Sequence, residues 1–313
     1  MDMIKKILIL LSTFLLIIFL LFFTDFFEFN FNKNQITSLK FIFKSYIIIS
    51  SICFITGEIT KNYSQIDKVW SLVPIFIVWY FTISSNFNER MVLMSVLVTI
   101  WGLRLTYNFS RKGGYSIYFW KGEEDYRWKE VRKSIPFFRP NFNWSLFNLF
   151  FICFYQMGLI FMFTMPILSA WQGSENPVNL TDYILTFLML LFIIVETISD
   201  QQQYNFQSIK YIKIKNGEKL EGKFKDGFIS NGLWGFSRHP NFTSEQLIWI
   251  TFYLFSFSAN NLIFNWSLIG CVMLVILFNN SAKFSEEISL KKYPKYAEYQ
   301  KSVPMFIGKY KKN

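Results

Sequence analysis

Cysteine, histidine and charge are all scarce in this sequence. The three cysteines, Cys53, Cys153 and Cys271, stand inside apolar stretches with no Cys-x-x-Cys spacing, which excludes a disulfide framework. One histidine, His239, leaves too few ligands for a Cys/His zinc site, and no metal is expected. Charged residues make up 17% of the 313, against about 25% in soluble globular chains. Gly-x-Gly-x-x-Gly, Gly-x4-Gly-Lys-Ser/Thr and Gly-x-Ser-x-Gly are all missing, so a nucleotide would have to bind without a Rossmann or P-loop cradle. Internal repeats and Pro-rich linkers are also missing. The repeat symmetry and midplane polar groups expected of a transporter are therefore not seen.

What fills the chain instead is apolar and aromatic: 52% hydrophobic residues, with 39 Phe, 16 Tyr and 10 Trp. That is more ring surface than a soluble domain of this size can hide, and disorder is excluded by the same composition. The net charge is +11. Basic charge beside long apolar runs points to a membrane protein rather than a nucleic-acid binder. The partners expected are membrane lipids and a hydrophobic substrate; no nucleic acid and no obligate protein partner are implied.

A spanning helix needs about 20 mostly apolar residues. Eight stretches qualify or nearly so: 7–23, 41–57, 69–84, 91–108, 144–170, 181–199, 243–258 and 266–282. The first follows Lys5-Lys6 and reads as a retained anchor, because no small-residue cleavage site follows it. Segments 109–140, 208–238 and 283–313 hold 23 of the 32 basic and 10 of the 21 acidic residues, a net of +13, while everything else nets −2. Connections 171–180 and 259–265 contain no Lys or Arg. Basic loops stay cytoplasmic, so eight spans with both termini cytoplasmic satisfy the alternation. The expected fold class is all-α: a polytopic membrane protein of about 7–8 transmembrane helices. It forms one membrane domain over 1–313, in which 1–60 supplies N-terminal anchor spans.

Ionisable residues within spans are costly and mark functional interiors. Here they are Arg104, Glu196, Asp200 and Glu245, with Glu58, Asp67 and Lys283 at span edges. The alternation puts Arg104, Tyr107 and Asn108, Glu196 and Asp200, Glu245, and Lys283, Glu286 and Glu287 at one cytosolic level. Snorkelling of terminal charges would account for any one of them but not for the whole set. The densest cluster is Ser237-Arg238-His239-Pro240-Asn241-Phe242-Thr243-Ser244-Glu245. Pro240 suits the first turn of a helix. A helix N-terminus beside Arg238 favours a phosphate or carboxylate, and Asn241 and Glu245, four apart, share one face for amide or hydroxyl groups. His239 is the one imidazole in the sequence, the side-chain type whose unperturbed pKa lies nearest neutrality. A basic interfacial loop with a structural proline is the other reading. The Tyr-rich tail, with Tyr293, Tyr296 and Tyr299, reads equally as an interfacial aromatic belt or a ligand lid.

Ser-Arg-His-Pro-Asn at 237–241, Glu245, and the tail from Tyr293 through Tyr299 to Val303-Pro304-x-Phe306-Ile307 resemble the steroid 5-alpha-reductase superfamily. Asp67-x-x-Trp70, Trp101-Gly-Leu-Arg104-Leu105, Lys121-Gly-Glu-Glu-Asp-Tyr-Arg-Trp128 and Asp200-x-x-x-x-Asn-Phe206 resemble its DUF1295 branch. The resemblance covers 60–310, with a cofactor-binding half at about 181–310. It implies an NADPH-dependent membrane reductase of a conjugated carbon–carbon double bond in a sterol-like, isoprenoid or other lipid. For a eukaryotic protein it implies the endoplasmic reticulum membrane. It assigns cofactor binding to Asp200, Asn241 and Glu245, extends it to Arg238 and His239, and matches Tyr293 and Tyr299 more loosely. Steroid reductases polarise the substrate ketone with a Tyr and a Glu from the N-terminal half; Trp101 stands where that Tyr would align. Arg104 with Tyr107, or Asp67, is left to supply the donor. The alternative is an S-adenosylmethionine-dependent methyltransferase of the isoprenylcysteine carboxyl type, which also sets Arg-His-Pro at a span start but more often has Ser where Asn241 stands.

Overall fold

In the computed structural model, residues 30–118 and 120–307 are described, with scattered positions between 5 and 18. The expected first span, 7–23, therefore lies largely outside the described residues. Every regular element among the described residues is helical. We number the helices α1 (Lys33–Thr60), α2 (Gln65–Val69), α3 (Leu72–Ser84), α4 (Glu89–Ser110), α5 (Tyr126–Ser134), α6 (Asn141–Gln172), α7 (Leu180–Lys215), α8 (Pro240–Asn260), α9 (Leu268–Lys292) and α10 (Tyr296–Ser302).

Five of these, α1, α4, α6, α7 and α9, are long and apolar enough to cross a bilayer. The protein is a polytopic integral membrane protein. The stretch expected at 69–84 becomes the 13-residue α3, only about 20 Å long and short of a hydrocarbon core of about 30 Å. The stretch at 243–258 lies inside α8, which has 21 residues but begins with the polar run from Asn241 to Gln246. At 36 residues, α7 reaches about 54 Å, so its polar second half, from Gln201 onward, extends past the hydrocarbon.

Local chemistry sets the helix ends. At the start of α1, Asn32 Oδ1 accepts from Gln35 N at 2.9 Å while Gln35 Oε1 accepts from Asn32 N at 2.9 Å, a reciprocal capping box. At its end Lys61 turns left-handed, φ 55°. Asn88 caps α4 by accepting from Met91 N. Ile48, Ile52, Ile55 and Ile59 of α1 are exposed, a face suited to lipid tails. The opposite case is α6, whose apolar window is 72% buried, far more than any other span, so it forms the core. It leaves α-helical geometry for a π-helix over Asn148–Tyr155.

The chain forms two compact units: residues 1–183 with 253–271, and residues 184–252 with 272–313. In the first, α9 begins so close to α6 that a Cβ on Gly270 would lie 2.1 Å from the Met162 carbonyl oxygen, an approach that small residues permit. The start of α4 is bolted to the start of α7 by a buried ion pair, Arg90 Nε to Asp182 Oδ1 at 2.9 Å and Nη2 to Oδ2 at 3.0 Å. Polar groups are therefore not confined to the cytosolic helix ends expected from sequence: α4 and α7 each carry a charged residue at the other end as well. In the second unit, Phe206, Phe224, Ile229 and Trp234 form one small apolar cluster and Phe228, Tyr296, Tyr299 and Val303 another.

Candidate functional site

The second unit builds its polar corner from α7, the loop 216–239, the first turn of α8, the end of α9 and the tail. The loop is pinned to α7 by Leu233 N donating to Gln202 Oε1 at 3.0 Å and Trp234 Nε1 donating to the Ser199 carbonyl at 3.1 Å. Gly232, φ +62°, lets the backbone pass the Gln202 amide; a Cβ there would meet Gln202 Oε1 at 2.7 Å.

Beyond this turn the chain is strapped by the tail. Arg238 N donates to Pro304 O at 2.9 Å, His239 N to Met305 O at 3.1 Å, and Ser237 Oγ to Met305 O at 3.1 Å. The Arg238 guanidinium faces inward. Its Nε and Nη2 reach Glu286 at 2.7 and 3.2 Å, and its Nη1 donates to the carbonyls of Gln300, at 3.0 Å, and Val303. Glu286 also receives His239 Nε2 at 2.9 Å and Gln300 Nε2 at 2.6 Å. One buried carboxylate thus gathers Arg238, His239 and Gln300. Charge-assisted pairs of this kind hold a fold together, and Arg238 is turned toward that task.

Asn241 and Asp200 meet next to this knot. Asn241 Nδ2 donates to Asp200 Oδ1 at 3.3 Å, while Asn241 Oδ1 is buried with no hydrogen-bond partner among the described residues. Gln203, one helical turn beyond Asp200 on α7, has a buried Oε1 in the same condition. Glu245, four residues into α8 from Asn241, is buried and accepts from Trp249 Nε1 at 3.1 Å. Two buried acceptor oxygens thus lack donors among the described residues, one on the partner of the Asp200 carboxylate and one a helical turn along from it. Buried acceptors left open cost about 1–3 kcal/mol each, so the set suits a ligand rich in hydroxyl or amide N–H groups.

Tyr299 donates to the Trp234 carbonyl, and burial raises its phenol above the ordinary range, so it stays neutral. Tyr293 lies over Gly227, whose Cβ would come within 2.8 Å of its ring, and receives Lys210 Nζ at 3.4 Å. The structure therefore brings Asp200, Arg238, His239, Asn241 and Glu245 into one corner and sets the two tyrosines in the strap behind it.

The three donor candidates lie in the first unit. Arg104 and Tyr107 are one turn apart on α4; Tyr107 is 67% exposed, with the Arg111 guanidinium 5.6 Å from its ring centre. Asp67 is on α2, tied toward α4 through the neighbouring Ser71–Thr106 hydroxyl contact of 2.7 Å. Burial, then the charge of Asp125, raises its carboxyl to about 6, against the opposing pull of Ser64, Arg127 and Trp128. Its Oδ2 makes no well-formed hydrogen bond to these neighbours. Asp125, clamped by Arg127 at 2.5 Å, is lowered. The two blocks Asp67-x-x-Trp70 and Lys121–Trp128 are folded onto one another: Asn62 Nδ2 donates to Gly122 O at 2.9 Å, Tyr63 N to Glu124 Oε1 at 2.9 Å, and Asp125 N to Ser64 Oγ at 2.9 Å.

The sequence places Glu286 in the polar level at the span ends without giving it a role, and does not single out Gln203. Arg238 and His239 stand 48 and 47 residues from Glu286, and no local pattern signals such a pairing. Gln203 carried one available signal, its spacing of three from Asp200.

Residues 53–303 match the family described as protein of unknown function, DUF1295. An uncharacterized protein of Schizosaccharomyces pombe is 33% identical over 297 residues, covering 90% of this chain and 82% of that protein. A probable 7-dehydrocholesterol reductase of Acanthamoeba polyphaga mimivirus is 32% identical over 147 residues, covering 44% of this chain and 32% of that protein. No solved structure matches.

Proposed function

This chain belongs to the DUF1295 family, and from that premise we propose that it is a membrane reductase that uses NADPH to saturate a conjugated carbon–carbon double bond in a sterol-like, isoprenoid or other lipid. The observation that carries the reading is two buried acceptors without a partner among the described residues: Asn241 Oδ1, whose amide bonds Asp200, and Gln203 Oε1, one helical turn along α7 from Asp200. Ribose hydroxyls and a carboxamide N–H2 are the donors such a set accepts, and Asp200 and Glu245 add carboxylate oxygens for the same kind of group. NADPH, when bound, supplies the hydride. Asp200, Gln203, Asn241 and Glu245 hold its neutral polar parts. Arg238, His239 and Glu286 keep that corner in shape, and Tyr293 and Tyr299 back the strap. In the first unit, Asp67 and Arg104 with Tyr107 are the groups proposed to polarise a substrate carbonyl. The name of the mimivirus relative, a probable sterol reductase, supports the lipid class. In a eukaryotic cell this reading places the protein in the endoplasmic reticulum membrane.

The test is turnover: loss of NADPH absorbance by the purified, lipid-reconstituted protein against a panel of sterol and isoprenoid enones. Oxidation that requires both enone and protein is expected. If no enone is consumed and NADPH does not bind, the reductase reading fails. Binding of S-adenosylmethionine in its place would favour the methyltransferase reading.

A further inference from the structure

Hydroxyls in the first unit's apolar helices find acceptors nearby. Ser50 Oγ donates to Tyr46 O at 2.7 Å, Thr99 Oγ1 to Ser95 O at 2.7 Å and Thr164 Oγ1 to Ile160 O at 2.9 Å. Tyr46 OH donates across to Phe154 O at 3.3 Å. Tyr155 differs from these. It is 1% exposed, and its hydroxyl has no hydrogen-bond partner among the described residues. Away from water an unpaired hydroxyl is costly, and a phenylalanine would fill the same space without that loss.

The backbone at this point is also unusual. Tyr155 closes the eight-residue π-helix Asn148–Tyr155 inside α6. Such segments are rare and concentrate at functional sites, because the widened turn re-aims the side chains that follow it. The side chains packed on the Tyr155 ring are flat and apolar. Tyr155 stacks on Phe151 with ring centres 5.2 Å apart and planes 10° apart, and Phe151 stacks on Phe147 at 5.0 Å and 14°. Phe14 meets Tyr155 edge-on at 5.2 Å. It also packs over Gly158, where a Cβ would lie 2.6 Å from its ring tip. A ladder of rings ending in a hydroxyl that has no partner among the described residues is matched by an apolar molecule with one oxygen.

We propose that the π-turn of α6 is a binding site for a neutral lipid bearing a single carbonyl or hydroxyl oxygen, and that the Tyr155 hydroxyl is the hydrogen-bond partner of that oxygen. The phenol serves either form of ligand, donating to a ketone or accepting from an alcohol. The site lies within the first unit and concerns binding alone, so it stands whether or not the chain is a reductase.

The experiment uses the full chain in lipid nanodiscs with three probes of one shape: a sterol ketone, the corresponding alcohol and the parent hydrocarbon. Wild type is expected to bind the ketone, the alcohol or both about tenfold more tightly than the hydrocarbon. In Tyr155→Phe that preference should fall below about twofold while the ligand-free protein melts at a higher temperature, because an unpaired hydroxyl has been removed. Tyr46→Phe, which loses a made hydrogen bond, should melt lower and keep the preference. The proposal is overturned if wild type does not favour the oxygenated probes, if Tyr155→Phe keeps the preference, or if Tyr155→Phe melts lower.

Discussion

Arg90–Asp182, fully buried, and Asp200–Asn241, partly buried, are polar pairs that join segments distant in sequence, and they are completed to different degrees. Arg90 and Asp182 are 1% and 0% exposed. The guanidinium meets both carboxylate oxygens and also donates to the carbonyls of Asn176, at 3.0 Å, and Pro177, at 2.7 Å, while Asn179 N adds a bond to Asp182 Oδ2. Little binding capacity is left over. At Asp200–Asn241, a 3.3 Å amide–carboxylate bond joins the two, and Asn241 Oδ1 has no hydrogen-bond partner among the described residues. A pair that satisfies itself holds helices together; a pair with open acceptors is arranged for something else. By this criterion the Arg238–Glu286–His239 knot belongs with Arg90–Asp182, although its letters stand in the motif that resembles a cofactor site.

The comparison can be broken by substitution, beginning where the effect is largest. Asp182→Ala leaves Arg90 buried without a counter-charge and should destabilise the protein by about 3–5 kcal/mol. The expected reading is a large drop in melting temperature or loss of monodisperse protein on size exclusion. Glu286→Ala should cost about 3 kcal/mol, since Arg238 keeps only its carbonyl contacts. The drop in melting temperature should come with increased proteolysis of the tail after residue 296, because that strap depends on Arg238. Asn241→Ala should behave differently, shifting stability by no more than about 1 kcal/mol while weakening NADPH binding by about 10–100-fold. If Asn241→Ala unfolds the protein as readily as Asp182→Ala, the distinction drawn above is wrong.

The smallest expected effect concerns Asp67 and pH. Its carboxyl is raised in the folded protein to about 6 from 3.8, so the folded state favours the protonated form. The stability this contributes is fully present below about pH 4 and is lost as pH rises through 6. Asp67→Asn should therefore melt higher than wild type at pH 7.5, by the equivalent of about 1–2 kcal/mol. The two should converge near pH 4. A gap that does not change with pH would show that Asp67 does not titrate in this range.

Much of this architecture was legible because apolar runs and basic loops are local properties of a sequence. The stretches 41–57, 91–108, 144–170 and 181–199 all lie inside helices that can span. Pro240 does open α8, as its fixed φ and missing N–H imply. The shortness of α3 was hidden because residues 69–71 continue the apolar pattern although the helix itself begins at Leu72. The π-turn was hidden because a run such as Asn148–Tyr155 is apolar on every face, and its composition does not distinguish one helical winding from another. In the candidate site, the motif letters led to Asp200, Asn241 and Glu245. They did not show that Arg238 turns inward to Glu286, because that depends on two helices and a tail meeting in three dimensions. For the same reason Arg90 and Asp182, 92 residues apart, gave no signal.

The most direct measurement of the central claim is binding of NADPH and of S-adenosylmethionine to the full chain in nanodiscs, by calorimetry, for wild type, Asn241→Ala and Gln203→Leu. The account predicts that wild type binds NADPH and not S-adenosylmethionine, and that both variants melt within a few degrees of wild type while losing at least about tenfold in NADPH affinity, or about 1.4 kcal/mol. Folded variants that bind NADPH as wild type does, or a wild type that binds only S-adenosylmethionine, would contradict it.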